Sequence, residues 1–358
     1  MAPSHGRPLS GDGLPTLELG ERFGIEGQLI DVRRLGGGHI HTTYLATYGD
    51  DPGPAVRYVH QRLNTSVFAD VEALMGNFVR VTTHLAARTR PPRRPVVLRP
   101  ATDGRPFTLD DAGVPWRTLE FVDGARTFPR FETGAHAFEG AVLAAEFVAG
   151  LADLAPPPPE VIPGFHDVAR RLGALEEARG ADVAGRAADC DALVDAVLGH
   201  RRVALDVAEA RAEGRLPERT VHNDTKTDNL LFDAATGTGL CLVDLDTVGP
   251  GTVLFDVGDL VRSGATALPE DGDPYALTVD HDLVAAVLEG YAAAGAGFLT
   301  PSEVELLPLA GPLMALESAA RFLTDYLQGD VYFPVEGPGH NLRRARNQLR
   351  LFELLLAG

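Results

Sequence analysis

The sequence predicts an α+β chain of two lobes: a small antiparallel-sheet lobe over residues 20–122, then a larger, mainly helical lobe over 123–358. Three observations carry this. Short apolar runs separated by glycine turns fill the first third of the chain. Helical periodicity dominates after Asp123-Gly124. One polar stretch, Val221 to Phe232, interrupts the helices with short strands. A chain of 358 residues is also long for a single core, which favours two lobes with a cleft between them.

Residues 1–19 are expected to be a disordered N-terminus, because Met1 to Thr16 is rich in Gly, Pro and Ser and has no basic segment followed by an apolar one. Leu29 to Val32 and Thr43 to Thr47 flank Gly36-Gly37-Gly38, which reads as strand, glycine turn, strand. Val56 to Leu63 makes a third strand. Ala69 to Ala87 carries apolar residues at Val71, Leu74, Phe78, Val81 and Leu85, a helical spacing, with Asp70 as its cap and Pro91-Pro92 as its stop. Val96 to Leu98, Phe107 to Leu109 and Trp116 to Val122 complete the sheet.

Helices are then expected over Thr133–Leu154, stopped by Pro156 to Pro159, and over His166–Ala178 and Ala192–Glu213. Three more are expected over Leu283–Ala294, Ser302–Leu327 and Leu342–Leu356. No stretch approaches the roughly 18 consecutive apolar residues of a membrane span.

The composition narrows the partners. A net charge of −18 repels phosphate backbones and anionic lipid, so neither nucleic acid nor membrane is expected. Cys190 and Cys241 are too few for a disulfide framework, and Cys241 lies in an apolar run that suits a buried thiol. A cytoplasmic protein, monomeric or weakly homodimeric, is the expectation.

The chemistry gathers in His222-Asn223-Asp224-Thr225-Lys226-Thr227-Asp228-Asn229, followed by Asp244-Leu245-Asp246. The spacing H-x-D-x-K-x-x-N is that of a kinase catalytic loop, and phosphoryl transfer needs mostly positioning and charge neutralisation. Asp224 is read as the base that accepts a proton from an attacking hydroxyl. Asn229 offers a carbonyl oxygen to Mg²⁺, and Asp244 the carboxylate that holds the metal on the phosphates of ATP, with Asp246 as the alternative. Lys226, the only lysine in the chain, reaches the transferring phosphate. His222 is expected to hold the loop through backbone hydrogen bonds. Asp256 and Asp259 read as a helix-capping pair. Backbone N–H groups of Gly36, Gly37 and Gly38 suit a phosphate cover; His39 either faces the cleft or caps that turn. A kinase also expects a lysine on the third strand paired with a glutamate on the next helix. Here Arg62 with Glu72 is the candidate substitute, and Gln61 the alternative.

These features in this order resemble the aminoglycoside phosphotransferase and choline kinase superfamily, a two-lobed protein-kinase-like fold. Within it, Gly38-His39-Ile40, Gln61 to Phe68, Val243 to Val248, Asp256 to Asp259, Arg321 to Leu327 and Gly329 to Phe333 look most like the N-acetylhexosamine 1-kinases. The resemblance implies transfer of the ATP γ-phosphate to the anomeric hydroxyl of N-acetylglucosamine or N-acetylgalactosamine. Asp224, His39, Arg321 and Tyr332 would then contact the sugar. His41 stands where an asparagine is usual, and Gly249 where a larger apolar residue is usual. The same-class alternative is a kinase for another hexose, an amino sugar or an aminoglycoside; the different-class alternative is a nucleotide-binding pseudokinase.

Overall fold

The computed structural model describes residues 14–35, 41–50 and 53–358. The chain divides into two compact units, the first comprising residues up to Thr83 and Pro95–Asp123, the second His84–Arg94 and Gly124–Gly358.

In the first unit, α1 (Leu17–Arg22) opens on Thr16, whose Oγ1 accepts the Leu19 N–H. Residues 17–19 are thus helical rather than part of a frayed terminus, because Leu19 and Phe23 are buried in the core. The strands are β1 (Gln28–Arg34), β2 (Thr42–Gly49), β3 (Val56–Arg62), β4 (Leu98–Arg99), β5 (Thr108–Leu109) and β6 (Pro115–Glu120), with α2 (Val71–Ala86) between β3 and β4. The sheet is antiparallel in the order β1-β2-β3-β6-β4, with β5 on β6. Leu19, Phe23, Ile25, Tyr44, Tyr48 and Trp116 fill one face. Register sets Gln61 opposite Arg117 and His60 opposite Thr118. His60 is fully buried between Tyr48 Oη (2.9 Å) and Thr118 Oγ1 (2.7 Å), and burial lowers its pKa to about 4, so it is a neutral core group.

The second unit begins its secondary structure with β7 (Ala125–Arg126), α3 (Gly134–Leu151), α4 (Val168–Ala181), α5 (Ala187–Gly199) and α6 (Arg201–Ala212). The single helix expected over Ala192–Glu213 is therefore two, parted at Gly199-His200, where His200 leaves helical geometry. Four short strands follow: β8 (Arg219–Val221), β9 (Leu230–Asp233), β10 (Gly239–Leu242) and β11 (Gly249–Gly251). They pair as β10-β9-β7 and β11-β8, all antiparallel. The rest is helical: α7 (Val253–Gly264), α8 (His281–Gly295), α9 (Pro301–Leu306), α10 (Ala310–Gln328) and α11 (His340–Ala357). Pro308, lacking an N–H, sits in a 3₁₀ turn that divides the helix expected over Ser302–Leu327.

α10 is the central helix, packed on α7, α4 and α11. Gly258 permits the α7 approach, since a Cβ there would lie 2.4 Å from Ala310 O and Met314 Cγ. The run Pro301–Gln328 does reach a length and mean hydropathy (1.2) sufficient to cross a membrane, contrary to the reading of its sequence. However, 78% of that window is buried inside the protein, as a core helix requires. Both cysteines are free and buried, and burial pushes the Cys241 thiol up to about 12.

Candidate active site

The polar stretch lies between β8 and β9, and its backbone is held from three directions. Arg219 on β8 makes a paired contact with Glu303 (2.6 and 2.7 Å), a carboxylate that also closes the Thr300 capping box of α9, so the strand entering the loop is anchored. Asn223 then turns through the left-handed region, at φ 64. Asp256 on α7 accepts the His222 N–H (3.0 Å) on one oxygen and the Asn223 N–H (2.8 Å) on the other, and its own carbonyl accepts from Thr225 Oγ1 (2.6 Å). Thr247 accepts the Asn223 side-chain amide on its carbonyl (3.0 Å) and donates its hydroxyl to His222 O (2.9 Å), tying the loop to the segment after β10.

The sequence suggests Asp256 as half of a helix-capping pair. The cap is Thr252, and Asp256 instead projects from the first turn of α7 onto the loop. Its carboxylate is fully buried; burial pushes its pKa up to about 7 against the two N–H donors that favour the charged form. Asp259 pairs with Arg262 (2.8 Å). Replacing Asp256 by Ala strands two buried backbone donors, at roughly 1–3 kcal/mol each. The expected result is a stability loss of about 3 kcal/mol with a large fall in turnover, measured by denaturant melts and steady-state rates. An unchanged melting profile would remove Asp256 as the loop's anchor.

His222 donates from Nε2 to Val243 O (3.0 Å) and accepts the Asp224 N–H at Nδ1 (3.3 Å). That pairing requires the neutral ring, and burial lowers its pKa accordingly. It is a backbone brace.

Beyond this brace the candidate side chains converge on one atom. Asp224 Oδ2 accepts from Lys226 Nζ (2.8 Å) and from Asn229 Nδ2 (3.0 Å), and Asn229 Nδ2 also reaches Asp224 O (2.7 Å). Burial alone would raise the Asp224 pKa, but the Lys226 ammonium outweighs it and holds the carboxyl at about 2. Burial likewise opposes the Lys226 charge, and Asp224 with Asp244 overcomes it, so Lys226 titrates above its ordinary value. Asp224 Oδ1 has no protein partner among the described residues, which leaves one oxygen for an incoming hydroxyl. Because the Asn229 amide nitrogen is committed to Asp224, its carbonyl oxygen is turned away and free to ligate.

Asp244 follows β10 at φ 64, and its strand end is tied to the loop by Val243 N–H on Asn229 O (2.9 Å). It is half-buried, whereas Asp246 is enclosed at 3% exposure. One neutral carbonyl and one carboxylate are hard oxygen donors of the kind a Mg²⁺ ion accepts when phosphates and water complete its shell. Among the described residues no cluster of three or more His, Cys, Asp or Glu offers an all-protein metal cage.

Arg321, on α10, has its guanidinium carbon 5.3 Å from the Phe165 ring, 5.9 Å from Tyr332 and 5.4 Å from Phe333; its Nη1 lies 3.6 Å from Glu317. Asp325 builds the turn that carries these aromatics: its carboxylate accepts the N–H groups of Val331, Tyr332 and Phe333 and the Asn341 amide, all at 2.8–3.0 Å. Tyr332 is 54% exposed. A pocket of about 240 Å³ in the same unit touches Phe165, His166, Asn223, Thr247 and Gly249. Gly249 lines it without clash, and a Cβ there would meet Pro159 O at 3.4 Å.

In the first unit, Gly36, Gly37, Gly38 and His39 lie outside the described residues. Arg62 and Glu72 are both exposed, and no ion pair joins them. Arg62 instead faces Asp110 electrostatically. The buried cation is Arg117, which sequence reading missed: fully enclosed, it donates from Nε to Gln61 Oε1 (2.8 Å) and lies over the Phe78 ring at 4.5 Å. Gln61 is thereby occupied in the sheet. The only sequence sign was a charged residue inside the apolar run Trp116 to Leu119. His41 is buried, accepts the Asn64 N–H at Nδ1 (3.0 Å), and packs its ring at a tilt against Phe68, so it braces the turn after β3.

A family profile described as "Phosphotransferase enzyme family" matches residues 31–307. Among solved structures, an aminoglycoside phosphotransferase from Alicyclobacillus acidocaldarius is similar at 14% identity and TM-score 0.62, over 99% of this chain and 96% of that one. An amicoumacin kinase in complex with AMP-PNP, Ca²⁺ and Ami aligns at 13% identity and TM-score 0.55, over 91% and 90%. A choline kinase from Cryptosporidium parvum aligns at 13% identity and TM-score 0.54, over 91% and 90%. These likenesses establish the fold class as the two-lobed, protein-kinase-like α+β fold.

Proposed function

Because the chain belongs to the phosphotransferase enzyme family, we propose that it transfers the γ-phosphate of ATP to the anomeric hydroxyl of an N-acetylhexosamine, N-acetylglucosamine or N-acetylgalactosamine, with Mg²⁺ as cofactor. The observation that carries the transfer step is the convergence of Lys226 and Asn229 on one oxygen of Asp224, with the other oxygen free. The nucleotide follows from the loop's kinase spacing and from the AMP-PNP bound by the amicoumacin kinase. Mg²⁺, when bound by Asn229 and Asp244, would neutralise charge on the phosphates.

The chain's own residues do the rest. Asp224 Oδ1 accepts the hydroxyl hydrogen bond, aims the oxygen at the phosphorus and takes the proton as the bond forms. A carboxylate of low pKa is a weak base, which suits a transition state with little bond formation and late proton transfer. In the structure Lys226 rests on Asp224; engaging a phosphate would draw its charge off the carboxylate and make Asp224 more basic at the moment it is needed.

The sugar is supported by Arg321 and Tyr332. Among the described residues Arg321 donates no hydrogen bond, so its guanidinium has donors to spare beside an exposed aromatic. That combination suits a neutral polyol with one apolar face. A cationic amino alcohol is the second reading, favoured by the choline kinase and aminoglycoside phosphotransferase likenesses. Incubation of a panel of hexoses, N-acetylhexosamines, aminoglycosides and choline with ATP and Mg²⁺, with products resolved as sugar 1-phosphate or otherwise, tests the choice. N-acetylhexosamine 1-phosphate is the expected product; a 6-phosphate or exclusive amine-alcohol turnover would overturn the sugar assignment.

A further inference from the structure

His166 is a buried titratable residue that no step above uses. It precedes α4, is 7% exposed, and lies against Phe165 and Phe255 with ring centroids 4.3 and 4.8 Å away. Its Nδ1 is 2.9 Å from Glu317 Oε2 and its Nε2 is 2.9 Å from the Asn223 carbonyl oxygen. The Asn223 carbonyl oxygen cannot donate, and neither can Glu317 while its carboxyl is ionised; burial opposes that charge and His166 outweighs it, so the Glu317 pKa is lowered. Beside that carboxylate a neutral imidazole, with one N–H, would set two lone pairs against each other at one contact, whereas the imidazolium satisfies both. The Glu317 carboxylate, 1% exposed, reaches Arg321 with its other oxygen at 3.6 Å.

We infer that His166 is a positioning residue: as an imidazolium it clamps the carbonyl that precedes Asp224, and through Glu317 it links the catalytic loop to Arg321. The Asn223 carbonyl belongs to the peptide that delivers the Asp224 N–H to His222, and Asn223 is the residue in left-handed geometry, so the clamp acts where the loop turns. What engages Arg321 alters the field on Glu317 and hence the strength of the clamp. The charged groups acting on His166 are Glu317 on α10 and Asp256 and Asp259 on α7; Arg321 on α10 and Arg171 on α4 act on Glu317, and Arg211, Glu160 and Asp167 line the pocket beside the ring. Burial works against the charge on His166 and Glu317 more than offsets it, so its pKa is raised, and the same pairing lowers Glu317. The clamp is therefore complete below the ordinary histidine value near 6.5 and is lost as pH rises through the raised folded value.

The link to Asp224 and Arg321 rests on the proposed function, whereas the protonation state does not, so the decisive measurement needs no turnover. Nitrogen-15 NMR titration of the His166 ring in the intact protein is expected to show both nitrogens protonated at pH 7. Glu317→Gln should lower that titration by about one unit or more, and Arg321→Gln should raise it, because an opposing charge leaves Glu317. In kinetics with any accepted acceptor, His166→Gln should lower kcat about 10- to 100-fold with nucleotide KM nearly unchanged, and should remove an alkaline limb of kcat that Glu317→Gln moves to lower pH. A ring neutral at pH 7, or a titration indifferent to Glu317→Gln, would overturn the clamp. A titration unmoved by Arg321→Gln would overturn the link to Arg321. Should His166→Gln fail to fold, the titrations on the other proteins still decide.

Discussion

Asp224→Asn is expected to lower kcat by at least about 10² while leaving nucleotide affinity nearly unchanged. The substitution keeps the size of the side chain and removes two things at once. One is the negative charge that holds Lys226 at 2.8 Å. The other is an acceptor-only oxygen: in the loop the Lys226 ammonium and the Asn229 amide already donate toward this position, so an asparagine NH₂ must either face those donors or face the substrate hydroxyl. Either orientation forfeits the acceptor that, in the proposed mechanism, orients and deprotonates the hydroxyl. Steady-state kinetics with a titration of ATP binding reads the effect, and near-normal turnover would remove the base assignment. The pH dependence has a defined sign. The Asp224 pKa is depressed to about 2, below an unfolded value near 3.9, so its pairing contributes stability above about pH 4 and loses it as pH falls through 2. An acid limb of kcat/KM between pH 5 and 7, which reports the free enzyme, must therefore come from another group.

How much of this was legible in the sequence depended on sequence distance. Asp224, Lys226 and Asn229 meet within six positions, so their spacing alone reports their convergence, and the structure places them on one oxygen. The hairpin of β2 and β3 and the helical run of α2 were similarly readable, because local alternation and 3.6-residue periodicity cause them. The groups that hold the loop come from far away. Asp256 lies 34 residues from His222, and His166 lies 151 from Glu317. A buried carboxylate that accepts backbone N–H groups leaves no pattern around itself, and Asp256 near a helix start imitates a cap. Arg117 was hidden in the same way: its partner Gln61 is set by strand register, and a lone arginine in an apolar strand reads as an edge residue until the neighbouring helix covers it. Arg62, which is exposed, shows the converse: position on the third strand does not make a residue the buried cation. Helix ends were misread where a single residue decides them, at His200 and Pro308.

Asp244 illustrates how one such local conformation bears on chemistry, and Asp244→Ala is expected to abolish the Mg²⁺ dependence of nucleotide binding. The residue sits at φ 64, which Asp and Asn tolerate better than Ala, so the substitution adds about 1 kcal/mol of backbone strain to the loss of charge. Asp244→Asn separates the two, since it keeps the left-handed backbone and one oxygen but not the charge. Calorimetry with and without Mg²⁺ should show Asp244→Ala falling to its metal-free affinity, at least about 100-fold weaker than the unaltered protein with metal, with Asp244→Asn between them. The geometry favours Asp244 over Asp246 on two grounds: Asp244 is partly exposed and acts on Lys226, whereas Asp246 is enclosed. Its position is also fixed relative to Asn229 by the Val243 N–H to Asn229 O bond, so the two oxygen donors move as one unit. Metal-supported affinity that survives Asp244→Ala but is lost in Asp246→Asn would transfer the role to Asp246. Loss of the metal dependence in Asp244→Ala alone would leave Asp246 as a buried brace of the turn that follows β10.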